Sequence, residues 1–430
     1  MPDARTPHVD VHPAPFAILA LALALARSRI SLALALAVAG IPGADPAPSA
    51  TVASTAEFPE VRVALADSGP ERAPGALPAI VFVSRHADPA RPAQIPGLGP
   101  HGCALITGGR LMLRDPDGRV RPLLIGDSMF DVSHPSISPD ASRLAFAATR
   151  SAAGPWRIYV AGIDGGGLHA VTSGAASFDD LEPCWIDSRT LCFASTRYRQ
   201  SDEYAGLPVP NLFTLDLVTG TLARLTSERN GAEAPSMDAR RGTLLFSRWW
   251  FNRYRSARRG ATGITLDPRA ALPGDSVNLW QPMEMSAPSG RLRLAFGYPV
   301  VRLQAMGAQP VALANGGFAA VYARNMGLSP APGGTGIWIF RSRYAPPTRL
   351  AGAAVPETAT DPYSEATGLA SPSACAPAAL PDGRIVFALD PGARGDFGLW
   401  VSDANGDSLE PLVDLPGTLE LDPAPVVAFD

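Results

Sequence analysis

A proline recurs along the chain in front of the same short pattern. Pro135 opens "PSISPDASRLAF", Pro183 "PCWIDSRTLCF", Pro235 "PSMDARRGTLLF", Pro310 "PVALANGGFAAV", Pro377 "PAALPDGRIVF", and Pro423 a bare "PAPVV". In the first five, a short strand runs into a polar turn, often Asp or Asn with Gly or Ser, and an apolar strand follows, which is a hairpin signature. A second strand, turn and strand come behind each hairpin: "WRIYVAGIDGGGLHAVT", "NLFTLDLVTGTLARLT", "VNLWQPMEMSAPSGRLRLAF", "GIWIFRSRYAPPTRLA" and "FGLWVSDANGDSLEPLV".

One unit is therefore four strands, and the prolines step by 48, 52, 75, 67 and 46 residues. Repeats of this size and content point to a radial array of four-stranded sheets, which manages its strand edges by closing into a ring. The two long steps need insertions, supplied by "RYRSARRGATGITLDPRAALPGD" and "AGAAVPETATDPYSEATGLASPS". The chain ends complete each other. "DPAPVV" at 422–427 is a first strand without partners downstream, and "PAIVFVS" at 78–84 is a second strand without a first. With "GGRLMLRDPDGRVRPLLIG" at 108–126 as the remaining hairpin, the expectation is an all-β, six-bladed β-propeller closed by a C-terminal strand pairing beside an N-terminal one.

Residues 14–41 read "APFAILALALALARSRISLALALAVAGI", two Ala/Leu runs split by Arg27 and Arg29. A basic start, a short apolar stretch and Ala37 and Ala39 in an A-x-A arrangement read as a secretory signal. An uncleaved signal anchor is the rival, since the whole stretch is long enough to span a bilayer. The expected division is a targeting segment at 1–44, a Pro/Ala-rich linker at 45–77 and the propeller at 78–430. Localisation is then periplasmic or secreted, with membrane contact only through that N-terminal segment. The formal charge of −4 argues against a generally polyanion-binding surface, so nucleic acid is not an expected partner.

"PSISPDASRLAF" followed by "IYVAGIDGGGLHAVT" resembles the WD40-like repeat of TolB-type periplasmic propellers, with Ala141 where that family favours Gly. A closer likeness is to the propeller of the hydrazine synthase alpha subunit and its uncharacterised relatives, carried by "EPCWIDSRTLCFASTR", "APSMDARRGTLLFSRW", "NLW" at 278–280, "DPYSE" at 361–365 and "LDPAPVV". It covers roughly residues 78–428 and implies the fold. The redox role of that relative depends on c-type haem, whose covalent attachment needs Cys-x-x-Cys-His. Cys103, Cys184, Cys192 and Cys375 lack that spacing, so no haem or other cofactor is expected.

The candidate sites follow from composition and register. "SRWWFNRYRSARRG" at 247–260 interleaves Arg248, Arg253, Arg255, Arg258 and Arg259 with Trp249, Trp250, Phe251 and Tyr254, a mixture suited to cation–π contacts and to interfaces. The competing reading packs Trp249 and Phe251 between blades and leaves the arginines to solvate a long loop. "STRYRQSDEYAGLPVPN" at 195–211 holds the equivalent place one blade earlier, with Arg197, Tyr198 and Arg199. Both should leave one face of the ring, the face expected to bind. Cys184 and Cys192 are equidistant from Ser188 and should oppose each other across a hairpin, as a disulfide or as two packed thiols. Asp179, Asp180 and Glu182 read as solvated turn residues before a first strand, with a cation site in the central channel as the alternative. No nucleophile elbow, phosphate loop or gathered histidines appear. The expected function is a non-catalytic protein-binding or scaffold module in the bacterial envelope; the alternative is a subunit of a redox or metal-dependent complex.

Overall fold

The computed structural model describes residues 76–86, 108–124, 129–175, 177–203, 206–252, 257–260, 263–265, 277–286, 290–296, 306–323, 335–341, 347–352, 372–392 and 394–429. The targeting segment at 1–44 and residues 45–75 of the linker lie outside them. Six four-stranded antiparallel sheets follow one another along the chain. Blade 1 holds β1 (Ile80–His86), β2 (Arg110–Arg114) and β3 (Val120–Pro122). Blade 2 is β4 (Asp131–Ile137), β5 (Arg143–Thr149), β6 (Arg157–Gly162) and β7 (His169–Ala170). Blade 3 is β8 (Asp180–Trp185), β9 (Thr190–Ser195), β10 (Asn211–Asp216) and β11 (Leu222–Arg224). Blade 4 is β12 (Ala232–Asp238), β13 (Thr243–Asn252), β16 (Val277–Ser286) and β17 (Leu292–Leu294), with a ribbon of β14 (Ala257–Gly260) and β15 (Gly263–Thr265) between its middle strands. Blade 5 is β18 (Met306–Ala312), β19 (Phe318–Ala323), β20 (Thr335–Phe340) and β21 (Thr348–Gly352), and blade 6 is β22 (Ser373–Ala379), β23 (Ile385–Asp390), β24 (Gly398–Ser402) and β25 (Leu409–Val413).

The last strand, β26 (Thr418–Pro425), returns to blade 1 and pairs with β1 from Ile80↔Pro425 to His86↔Thr418. The ring is closed from both chain ends, as the sequence implied. The innermost strands contact one another in succession, β4 with β8, β12, β18, β22, β26 and β4 again. Each second strand is buried on both sides because it is sandwiched between blades. Leu144 and Phe146 of β5 join Val81, Val83, Leu111 and Leu113 of blade 1, while Ala145 and Ala147 face the larger Trp185, Phe193 and Phe213 of blade 3. The core is thus a set of seams between sheets, and the outer strands β7 and β11 are largely exposed.

The six anchor prolines have one structural meaning. Every inner strand carries a β-bulge, and each register shift encloses a dipeptide ending in the anchor: His134-Pro135, Glu182-Pro183, Ala234-Pro235, Gln309-Pro310, Ala376-Pro377 and Asp422-Pro423. Proline has no N–H to give to a ladder and is tolerated in a sheet chiefly at edges and bulges. The residue before it takes positive φ in all six blades, 51°, 52°, 50°, 49°, 50° and 51° in chain order. Opposite the dipeptide on the second strand stands Phe82, Phe146, Phe193, Phe246 or Phe387, fully buried, with Ala320 in this place in blade 5.

Left-handed backbone costs a non-glycine residue roughly 1–2 kcal/mol. Ala376→Gly is therefore expected to leave stability unchanged or raise it by up to about 1 kcal/mol. The same change two residues earlier, Ala374→Gly, should lower it by about 1 kcal/mol, because Ala374 sits in ordinary buried strand. Urea unfolding of the two variants measures the difference in sign.

Candidate functional site

The connections β9–β10 and β13–β16 both join a second strand to a third, so in alternating antiparallel sheets they leave the same end of the ring. Arg197 follows β9. Its Nη2 donates to Asp180 Oδ1 at 2.7 Å and its Nε to Ser195 Oγ at 2.9 Å. The guanidinium lies 4.8 Å from the Phe213 ring centre and 5.2 Å from that of Phe178. Tyr198 is 62% exposed; its ring stacks on Phe213 at 5.8 Å and meets the Arg224 guanidinium at 4.4 Å. Arg199, at φ 53°, turns away to donate to Ser177 Oγ at 2.6 Å. Together Arg197, Tyr198, Phe213, Leu222 and Arg224 line a cavity of about 250 Å³.

In blade 4, Arg248 lies over Trp250 at 5.5 Å and donates to Gln281 Oε1 through Nη2 at 2.5 Å. Trp250 is 37% exposed, whereas Trp249 is buried and stacks on Trp280. Tryptophan 249 thus packs inward while 250 faces solvent. Arg253, Tyr254 and Arg255 lie outside the described residues, and Arg258 and Arg259 are described only as backbone of β14. The stretch read as a long loop includes, in β14 and β15, a paired ribbon.

The reading of Asp180 and Glu182 as solvated turn residues is corrected. Asp180 is fully buried because Arg197 meets its charge, and Glu182 is buried inside β8. Glu182 belongs to a polar ring formed by the residues before the anchor prolines. Its Oε2 accepts from Ala234 N–H at 2.6 Å, Asp422 Oδ2 accepts from His134 N–H at 3.2 Å, and Gln309 Oε1 accepts from Ala376 N–H at 2.9 Å. Gln309 N–H donates to Ser247 Oγ at 3.0 Å. His134 is joined on one side to Ser133, whose Oγ lies 2.6 Å from Nδ1, and its Nε2 is 3.8 Å from Glu182 Oε1. The ring fixes neighbouring blades to one another and places a hydroxyl, an imidazole and a carboxylate in sequence. Among the described residues, no three or more His, Cys, Asp or Glu side chains are placed to hold a metal ion. Sequence reasoning passed over Gln309 and Asp422 and took His134 only as the start of a strand-entry motif; their signal is position before an anchor proline, not residue type.

Solved structures that share this architecture include a hydrazine synthase and a TolB. Hydrazine synthase from Kuenenia stuttgartiensis aligns with a TM-score of 0.60 at 17% identity, over 83% of this chain and 47% of that one. TolB from Acinetobacter baumannii aligns with a TM-score of 0.50 at 17% identity, over 82% and 67%. The fold is that of a TolB-like six-bladed propeller. The chain spans about half the length of the hydrazine synthase chain, and at these identities the likeness concerns fold alone. No protein-family model and no curated protein matches the chain.

In this TolB-like propeller Cys184 and Cys192 are register partners, as expected, and both are free, buried thiols. Burial pushes the Cys184 thiol up to about 12. Burial and then the neighbouring Cys184 raise Cys192 well above the usual thiol range. Neither is held as a reactive thiolate.

The closing strand holds another buried acid. Glu420 accepts from Thr418 Oγ1 at 2.6 Å, Leu415 N–H at 3.2 Å and Ser84 Oγ at 3.3 Å. Burial outweighs these bonds and raises its pKa from 4.5 to about 7. Below the unfolded value the carboxyl is protonated in both states and its contribution to stability is complete. Between 4.5 and about 7 the unfolded chain ionises first, so stability falls as pH rises. Thermal unfolding from pH 4.5 to 8 should show this decline for the native chain and a flatter profile for Glu420→Gln.

Proposed function

We propose that this chain is an exported propeller that binds another protein or an envelope component and does no chemistry of its own. The observation that supports it best is the pair of exposed aromatics on one end of the ring, Tyr198 and Trp250, each against a guanidinium in neighbouring blades. Aromatic and arginine side chains of this kind dominate the energetics of protein interfaces. The apolar segment at 14–41 with its A-x-A exit supports export to the periplasm or beyond. Among the described residues no helix is long and apolar enough to cross a membrane. The absence of Cys-x-x-Cys-His from the sequence weighs against a haem-bearing redox role.

The test compares the native chain, the double variant Tyr198→Ser/Trp250→Ser and the control Arg119→Ser, on a turn at the opposite end, for proteins captured from the envelope fraction of the native host. The expected result is a defined partner held by the native chain and the control and reduced at least tenfold with the double variant. Equal capture by all three, or a haem Soret band from the purified native chain, would overturn the proposal.

A further inference from the structure

The cavity on blade 3 has a composition that selects its occupant. Phe213 is buried at its base, Leu222 lies exposed on the outer strand β11, and the Tyr198 ring forms a wall. Its two cations are not equivalent. Arg197 is compensated by Asp180 and held by Ser195. Arg224 spends its Nε on Thr226 O at 2.6 Å, lies over Tyr198, and has no hydrogen bond or ion pair at its terminal nitrogens among the described residues. Those two N–H-bearing nitrogens form the planar fork that matches a carboxylate. Among the described residues no carboxylate lines the cavity, so the surplus charge there is positive. At about 250 Å³ it falls below the roughly 300–1,000 Å³ of sites for drug-sized ligands, which leaves room for one ring and one small anionic group.

We propose that this cavity binds a single aromatic ring carrying a carboxylate, with the ring against Tyr198 and Leu222 and the carboxylate on the Arg224 fork. The same chemistry is offered by the C-terminal aromatic residue of a partner protein and by a free aromatic acid. This inference rests on the reading of this end of the ring as the binding surface, and deepens it.

Calorimetric titration of the full chain with N-acetylphenylalanine and with its amide tests the assignment. Saturable binding of the acid, weakened at least tenfold in the amide, about 1.4 kcal/mol, is the expected result. Arg224→Gln should weaken acid binding at least tenfold, and Leu222→Trp, which fills the cavity from an exposed position, should abolish it without lowering Tm. A tetrapeptide ending in phenylalanine that binds at least tenfold tighter than phenylacetate assigns the source to a partner's C-terminus; equal affinity assigns it to free aromatic acids. Equal binding of acid and amide, or no saturable binding of either, would overturn the inference. Probe binding without protein capture would remove the protein-partner reading and leave the cavity standing. Capture without probe binding would do the reverse.

Discussion

The ladder between β1 and β26 is the interaction on which the rest of the ring depends. A row of six sheets stacked face to face but left open would end in exposed faces and unpaired strand edges, and such edges invite association with other chains. Donating the eight-residue strand β26 to the sheet begun by Ile80–His86 removes both liabilities together. The closing strand also buries Leu419 and Leu421 and supplies Asp422 to the N–H of His134 in the next blade. Beside it, Arg85 reaches across the same seam to Asp131 at 2.6 Å and to Val132 O at 2.6 Å, with both charges buried. A buried ion pair of this kind adds little net stability over an apolar contact, but breaking one partner leaves a stranded charge.

The bulged inner strands explain how one geometry is repeated with different residues. Proline interrupts the ladder, the bulge accommodates it, and the preceding residue turns to positive φ. That turn leaves a main-chain N–H in need of an acceptor. In three seams the preceding blade answers with the side chain at its own equivalent position, Asp422 for His134, Glu182 for Ala234 and Gln309 for Ala376. The inner ring therefore alternates between acceptors and residues that are served. The same constraint that builds the fold also concentrates polar chemistry near the axis.

The blade count and ring closure were legible because both rest on spacing: anchor prolines set the steps, and unpaired strands at the two ends could only complete one another. The opposition of Cys184 and Cys192 was legible for the same reason, since a hairpin places residues symmetrically about its turn. The inner ring was hidden because its members, His134, Glu182, Ala234, Gln309, Ala376 and Asp422, share a backbone state and not a side-chain type. Asp180 looked solvated because consecutive acids suggest a turn, and the arginine that neutralises it stands seventeen positions later. Two of the five residues lining the cavity, Arg197 and Tyr198, were visible. Phe213, Leu222 and Arg224 were not, because they enter only when the β10–β11 hairpin folds beside the loop after β9. The ribbon of β14 and β15 was masked by the arginines around it, although Gly260 and Gly263 pair within it.

Thermal unfolding of a chain ending at Gly417 tests ring closure most directly. Removal of β26 takes away the burial of Leu419 and Leu421, each worth roughly 1.5–3 kcal/mol, and opens both neighbouring seams. Tm is expected to fall by about 10 °C or more, with the cooperative transition broadened over several blades. An unchanged Tm and an equally sharp transition would contradict it.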